Sequence, residues 1–136
     1  MATPIVLNND TAPAFVVFPD GSEEGEECIL DAGQVFRFRG KRCEVDFKDN
    51  LKKLVGGRFE MVTVKNLCVR AADILPTAYD NEMGRDLDLA FNSVATQMVG
   101  SGHILFGPVV FVRNKAAMRR RLPAVRKSPR QAVARK

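Results

Sequence analysis

The chain has 136 residues, 46% of them hydrophobic, and a formal net charge of +5 at pH 7. This length fits one domain with a single hydrophobic core and excludes two full domains. No stretch approaches the roughly 20 uninterrupted apolar residues of a membrane-spanning helix, and the N-terminus lacks the basic and apolar regions of a secretory signal. We therefore expect a soluble protein that has no membrane span and is not secreted.

The charges divide the chain into two parts. Residues 113–136 contain ten Lys or Arg and no acidic residue, which leaves eleven basic and sixteen acidic residues in 1–112. The net charge is therefore −5 for residues 1–112 and +10 for residues 113–136. The basic segment has few large apolar residues, a composition that cannot build a packed core. We predict one α/β domain over 1–112 and a largely disordered basic tail over 113–136.

Alternating apolar residues predict strands in the first part of the domain. Ala14–Phe18 is an apolar run closed by Pro-Asp-Gly, which is typical of a strand that ends in a turn. Ser22–Glu27 contains four glutamates and is predicted to be a solvated loop. Gln34–Arg39 and Cys43–Phe47 each alternate between apolar and charged residues, so they predict two strands. The Gly40-Lys41 pair between them predicts a hairpin turn.

The next elements alternate between helix and strand. Leu51, Leu54 and Val55 have helical spacing and stand between an Asp/Asn cap and Gly56-Gly57, which predicts a helix of about two turns. Arg58–Val64 alternates and predicts a strand. Leu67–Leu75 fits either a strand or one helical turn. Because Pro76 interrupts a helix, Ile74–Tyr79 is predicted to be extended.

The last elements complete the predicted fold. Asp80–Arg85 predicts a turn, after which Leu87 and Leu89 alternate with aspartates. Asn92–Val99 predicts a short helix that is capped by Asn92 and ended by glycine. Ile104–Phe106 and Val109–Val112 predict a final strand, apolar enough for the centre of a sheet. We predict an α+β fold: a small mixed or antiparallel β-sheet with one or two short helices and a disordered basic C-terminal tail.

The middle of the chain carries a series of short motifs. They are Asn50-Leu51, Leu54–Glu60, the turn at Asp80–Arg85, Asn92 with Ala95, and Phe106–Val110. In this order and spacing, residues 43–112 resemble a family of small proteins of unknown function carried by phages, by large DNA viruses of algae and other eukaryotes, and by some bacteria. The resemblance implies a compact α/β domain and a viral or mobile-element origin. It implies no activity that can be assigned to these residues.

Carboxylates are the first candidates for chemistry. General acid–base catalysis needs carboxylates that lie together in a cleft with shifted pKa values. The candidates are Glu60, Asp80, Glu82, Asp86 and Asp88. Solvated turns and strand faces account for them equally well. We therefore expect no enzyme activity.

Cysteine and histidine residues are the candidates for metal binding. Cys28, Cys43 and Cys68 are an odd number without CxxC spacing, which favours buried free thiols. The only histidine, His103, lacks partners at the spacing of a metal site or of a nucleophile. We therefore expect no metal and no cofactor.

Glycines and phenylalanines offer two further interpretations. Gly56-Gly57 follow a helix, whereas a phosphate-binding glycine loop precedes one, so a helix C-cap is favoured. Phenylalanines beside Arg37 and Arg39 fit a base-stacking surface of the kind that binds RNA. Nine Phe, one Tyr and no Trp favour a core instead. The phenylalanines concerned are Phe36, Phe38, Phe47 and Phe59.

The basic tail carries the clearest indication of a partner. Clustered Lys and Arg without acidic residues attract phosphate backbones, acidic protein surfaces or anionic lipid. Arginine outnumbers lysine here, which suits bidentate phosphate contacts. The predicted nucleic-acid-binding residues are Arg119, Arg120, Arg121, Arg126, Lys127, Arg130, Arg135 and Lys136.

These observations predict a non-enzymatic viral or phage protein in a virion or inside a host cell. The tail of this virion or core component would bind nucleic acid non-specifically. One alternative is a minor capsid protein whose tail contacts acidic surfaces of other subunits, including copies of itself in a homo-oligomer. Another is a module whose folded body binds a small nucleotide-like ligand.

Overall fold

In a computed structural model of the chain, the structure describes residues 11–46, 50–113 and 126–127. Its strands are β1 (Thr11–Val17), β2 (Glu26–Asp31), β3 (Val35–Asp46), β4 (Phe59–Thr63), β5 (Thr77–Asn81), β6 (Val109–Val112) and β7 (Arg126–Lys127). Its helices are α1 (Leu51–Val55), α2 (Val69–Ile74) and α3 (Ser93–Val99).

The strands form one sheet in the order β4-β5-β6-β1-β3-β2-β7, and every neighbouring pair is antiparallel. This confirms the α+β class and the antiparallel form of the predicted sheet. The described residues contain three short helices, where one or two were predicted.

Both faces of the sheet bury apolar side chains. One face packs against α2 and α3, and Phe15 stacks on Phe111 there with ring centroids 5.4 Å apart. The other face packs against α1 and contains Val16, Val110 and Leu51. Since successive side chains of a strand point to opposite faces, β1 and β6 contribute to both cores. All four residues of β6 are buried, which confirms its predicted central position.

The predicted hairpin over Gln34–Phe47 is wrong, because β3 is one continuous strand. Its first half pairs with β2 and its second half with β1. Gly40 is the point of exchange, since it pairs with Glu26 of β2 and with Val17 of β1. The hairpin that does form joins β2 to β3 through residues 32–34.

A change of buried face explains the error. Phe36 and Phe38 belong to the core under α2 and α3, whereas Val45 belongs to the core under α1. The apolar residues therefore shift from even to odd positions within one strand, and this shift imitates two separate strands.

Gly40→Ala is expected to lower the free energy of unfolding by about 2 kcal/mol. A Cβ atom at Gly40 would lie 2.6 Å from the carbonyl oxygen of Val16 and 2.6 Å from Cε2 of Phe38, so the strand would have to shift. Urea denaturation measures the loss. The control is Lys41→Ala, an exposed neighbour that should change stability by less than about 0.5 kcal/mol. Equal stability of the two variants would contradict a continuous β3.

Local signals predicted the start of α3 and the ends of α1 and α3, but the Asn50 side chain before α1 makes no capping hydrogen bond, contrary to the predicted cap. The Asn92 side chain accepts a hydrogen bond from the backbone of Ala95 and caps α3, as predicted. Gly56 after α1 and Gly100 after α3 adopt left-handed φ values of 87° and 63°, which confirms both predicted C-caps. Within the ambiguous segment Leu67–Leu75, Val69–Ile74 form the helix α2. The prediction that Ile74–Tyr79 is extended is therefore wrong for Ile74, and the strand β5 begins at Thr77.

The connection between β5 and α3 differs from the predicted alternation. Residues 82–88 form turns. The Leu87 N–H donates to the Met83 carbonyl and the Leu89 N–H to the Gly84 carbonyl, so both bonds are local. Leu87 is therefore not in a strand, and its side chain is exposed. Of the predicted strand at Ile104–Phe106, only an isolated bridge from Phe106 to Phe91 is present.

The predicted tail is described at only three of its residues. The Arg113 N–H donates to the Pro13 carbonyl at 2.9 Å, and Arg126 with Lys127 form β7. The predicted disorder of the remaining tail residues lies outside the described residues. Within 11–46, 50–113 and 126–127, no helix has the length and apolar character needed to cross a membrane.

Candidate functional site

Two of the predicted carboxylates meet across neighbouring strands. Glu60 of β4 stands directly opposite Asp80 of β5, and their side chains are hydrogen-bonded. Glu60 is exposed, whereas Asp80 is only 4% exposed. A hydrogen bond between two carboxyl groups requires a proton on one of them. Glu60 and Asp80 therefore form a carboxyl pair that is stabilised when one of its two carboxyl groups is protonated.

The environment of Asp80 favours the protonated form. Burial, then the charge of Glu60 and then the hydrogen bond between the two side chains raise the pKa of Asp80 from 3.8 to about 7. Asp80 Oδ1 is buried and has no hydrogen-bond partner. A solvated turn or strand face is thus the wrong description of Asp80. A carboxyl group that titrates near neutral pH can exchange protons under physiological conditions.

The other three predicted carboxylates do not join the pair by direct contact. Glu82 forms an ion pair with Arg58 at 3.4 Å, and Asp86 and Asp88 are exposed in the turn that follows β5. The part of the chain that the structure describes contains no group of three or more His, Cys, Asp or Glu side chains that could hold a metal ion.

A pocket of about 270 Å³ opens on the α1 face of the sheet. It lies beside the end of β1 and the C-terminal end of α1, a helix of only five residues. The lining residues are Val16, Phe18, Glu24, Lys41, Lys53, Leu54, Gly56 and Pro108. The pocket thus combines apolar walls with two ammonium groups and one carboxylate.

The two lysines of this pocket come from different elements. Lys41 lies on β3 directly opposite Val16, and Lys53 lies on α1. Both are exposed, and neither forms an ion pair with another described residue. Among the described residues, the lining carries two positive charges and one negative charge. The pocket is therefore locally cationic within a domain whose net charge is negative.

Two of the eight predicted nucleic-acid-binding residues are described, and they form β7. Lys127 pairs with Cys28 and Arg126 pairs with Ile29 at the outer edge of β2. Ile29 pairs in turn with Arg37 of β3, so Arg126 and Arg37 stand in one row across three strands. The remaining six lie outside the described residues: Arg119, Arg120, Arg121, Arg130, Arg135 and Lys136.

Arg37 and Arg39 differ in their contacts. The Arg39 guanidinium donates hydrogen bonds to the carbonyl oxygens of Glu23, Glu24 and Gly25 and holds the acidic loop before β2. Arg37 is exposed and makes no ion pair within the described residues. Arg37 is therefore available to an anionic partner.

The cysteines are free thiols, as predicted. Cys28 is buried and Cys43 half-buried, but Cys68 is exposed, so the prediction of burial is wrong for Cys68. Burial raises the pKa of the Cys28 and Cys43 thiols, which keeps them protonated at neutral pH. His103 is exposed.

The phenylalanines serve mainly the core. Phe36 and Phe38 are 3% and 7% exposed, which confirms that they are core residues and excludes them as base-stacking platforms. Phe59 is half-buried and packs edge-to-face on Tyr79, with ring centroids 5.7 Å apart. Phe47 lies outside the described residues.

Comparison with known proteins identifies no relative of this chain. No protein-family model matches it, and neither does any curated protein or any solved structure. The resemblance of residues 43–112 to a viral and phage family therefore stays a prediction. Function has to be inferred from the charge distribution, the carboxyl pair and the pocket.

Proposed function

We propose that this chain is a non-enzymatic protein that binds nucleic acid without sequence preference through its basic C-terminal segment. Residues 113–136 carry ten positive and no negative charges, while residues 1–112 carry a net charge of −5. Lys and Arg side chains neutralise phosphates and release condensed counterions, which supplies most of the affinity in non-specific binding. They do not read base sequence.

The position of β7 is the observation that carries this proposal. It joins the basic segment to the edge of the sheet and places Arg126 in the same row as the exposed Arg37. Lys41 lies four residues further along β3, on the same face as Arg37, at a distance of about 13 Å. A phosphate backbone that follows the basic segment would therefore meet further cations on the folded domain.

The proposal includes a viral or phage origin and a role in a virion or core. The resemblance of residues 43–112 supports the origin, and the cationic segment supports contact with a packaged genome. The rival role is contact between the segment and acidic protein surfaces, including a second copy of the chain. That rival predicts salt-sensitive self-association without nucleic acid.

Replacing Arg119, Arg120 and Arg121 with glutamine in the full chain is expected to weaken binding to a generic DNA duplex roughly 10- to 100-fold at low salt. Each lost phosphate contact also lowers the salt dependence by about 0.9 in the slope of log affinity against log salt. Arg37→Gln is expected to lower that slope by about 0.9. Fluorescence anisotropy with labelled duplex measures both effects.

The matched control is Lys65→Gln, which removes an exposed positive charge outside the segment and outside the row of Arg37. It should bind duplex like the unchanged chain. The proposal fails if the triple arginine variant binds as tightly as this control. If Arg37→Gln left the salt slope unchanged, Arg37 of the folded domain would not contact the nucleic acid, and the basic segment would be the binding element.

A further inference from the structure

The pocket on the α1 face has the features of a small-molecule site. We propose that it binds a small organic anion, with a phosphate or carboxylate group between Lys41 and Lys53 and an apolar group against Phe18 and Leu54. This inference goes beyond the proposed function, because its ligand is a small molecule and not a nucleic-acid chain, although Lys41 takes part in both proposals.

The anionic group is inferred from the two lysines. Ammonium groups bind phosphates and carboxylates as point charges, and their flexible stems let them converge on one anion. Lys41 and Lys53 come from different elements on the same pocket and make no ion pair with a described residue. A bound anion would supply a counter-charge for both ammonium groups. It would also be partly screened from water by the pocket walls.

The apolar group is inferred from the walls. Leu54 and Phe18 are half-buried against the core under α1, and Val16 is a buried member of that core. These walls are thus part of the packed domain, and Pro108 extends them. A volume of about 270 Å³ lies just below the usual range of ligand pockets, which begins at roughly 300 Å³, so it suits one ring or a short chain.

Glu24 limits the charge of the ligand. Its backbone is held by a hydrogen bond from its N–H to Ser22 Oγ at 3.1 Å and by the Arg39 guanidinium on its carbonyl oxygen. Because Glu24 lines the pocket, its carboxylate repels a second anionic group on the ligand. It can also accept a hydrogen bond from a ligand O–H or N–H. The site therefore favours one anionic group attached to an apolar body.

The test is a titration of the full ¹⁵N-labelled chain with phenyl phosphate and with benzoate, followed by NMR. Inorganic phosphate supplies the charge without the ring, and benzyl alcohol supplies the ring without the charge. We expect one of the two aromatic anions to shift the amides of Lys41, Leu54 and Gly56, with a Kd of about 1 mM. Its affinity should exceed that of inorganic phosphate and of benzyl alcohol by at least about tenfold.

Variants locate the binding site. Lys41→Gln and Lys53→Gln should each lower the affinity for the aromatic anion roughly fivefold, whereas Lys65→Gln should leave that affinity unchanged. All three lysines are exposed, so the variants are expected to fold, and their amide spectra report this directly. The proposal would be overturned if both pocket variants bound the aromatic anion as tightly as the unchanged chain. It would also be overturned if the unchanged chain bound inorganic phosphate as tightly as the aromatic anion.

The nucleic-acid proposal can fail separately from this one. The variant with glutamine at positions 119, 120 and 121 should keep its affinity for the aromatic anion, because the pocket proposal depends on Lys41 and Lys53. If that variant no longer binds the aromatic anion while the Lys41 and Lys53 variants bind it with unchanged affinity, the anion binds the basic segment. The pocket proposal would then be wrong, and the nucleic-acid proposal would stand.

Discussion

Asn92→Ala is expected to lower the free energy of unfolding by about 3–5 kcal/mol. Asn92 is completely buried. Its Nδ2 donates hydrogen bonds to the carbonyl oxygens of Val17 and Gly107, both at 2.9 Å, and its Oδ1 accepts one from the Ala95 N–H at 3.1 Å. Alanine would leave these three backbone groups without their partner in a buried environment, where each lost bond costs about 1–3 kcal/mol. One side chain thus joins the end of β1, the start of α3 and the connection into β6.

Asn66→Ala is the matched control. The Asn66 side chain is exposed and donates one hydrogen bond within the described residues, to the Gln97 carbonyl at 2.7 Å, so its loss should cost less than about 1 kcal/mol. Asn92→Asp keeps the capping oxygen but removes both N–H donors and places a carboxylate against two carbonyl oxygens. It should therefore destabilise the fold at least as much as Asn92→Ala. Urea denaturation that gives Asn92→Ala and Asn66→Ala the same loss would contradict this role of Asn92.

Asp80→Asn is expected to remove a large part of the pH dependence of stability between about pH 4 and pH 7. The pKa of Asp80 is raised in the folded state from 3.8 to about 7, chiefly by burial and then by Glu60. In this interval the folded chain retains a proton that the unfolded chain releases, so the free energy of unfolding falls as the pH rises. One pKa unit corresponds to about 1.4 kcal/mol. Because water reaches Glu60, we expect a total fall of about 2–3 kcal/mol.

Asparagine at position 80 cannot ionise, and it retains N–H donors for the hydrogen bond to Glu60. The variant should therefore resemble the unchanged chain near pH 4 and exceed it in stability near pH 8. Denaturation at a series of pH values measures the difference between the two curves. Asp86→Asn removes an exposed carboxylate from the same connection and should keep the original pH dependence. If Asp80→Asn showed the same pH dependence of stability as the unchanged chain, Asp80 would not be the group that retains a proton in the folded state.

Elements with local signals could be predicted from the sequence. Asn92 and Gly100 delimit α3, and Gly56 ends α1, because caps depend on neighbouring residues alone. The apolar run of β6 also predicted its central position correctly. These features need no knowledge of distant strands.

Features that depend on distant pairing could not be predicted. The prediction of a turn at Gly40 was wrong, because only the pairing with β1 and β2 shows that β3 continues through Gly40. The strand β2 was missed because only Cys28, Ile29 and Leu30 are apolar and glutamates precede them. The pair of Arg126 and Lys127 has no strand pattern of its own and pairs only because β2 presents an edge.

The candidate sites show the same limit. Glu60 and Asp80 could be named as carboxylates, but their contact depends on the register that sets Phe59 opposite Asn81. The burial of Asp80 follows from the packing of that face and has no signal in the neighbouring sequence. The pocket depends on where α1 ends relative to β1 and β3, so Lys41 and Lys53 could not be brought together from their positions in the chain.

The most direct test of nucleic-acid binding is a salt titration of the full chain and of a chain that ends at Val112, each with a generic DNA duplex and a generic RNA. We expect the full chain to bind at low salt with a slope steeper than about −4 in log affinity against log salt for the duplex, as five or more phosphate contacts require. The shortened chain, with its spectrum checked for a folded sheet, should bind weakly and with little salt dependence. No binding of the full chain at low salt, or the same slope for both chains, would contradict the proposed function.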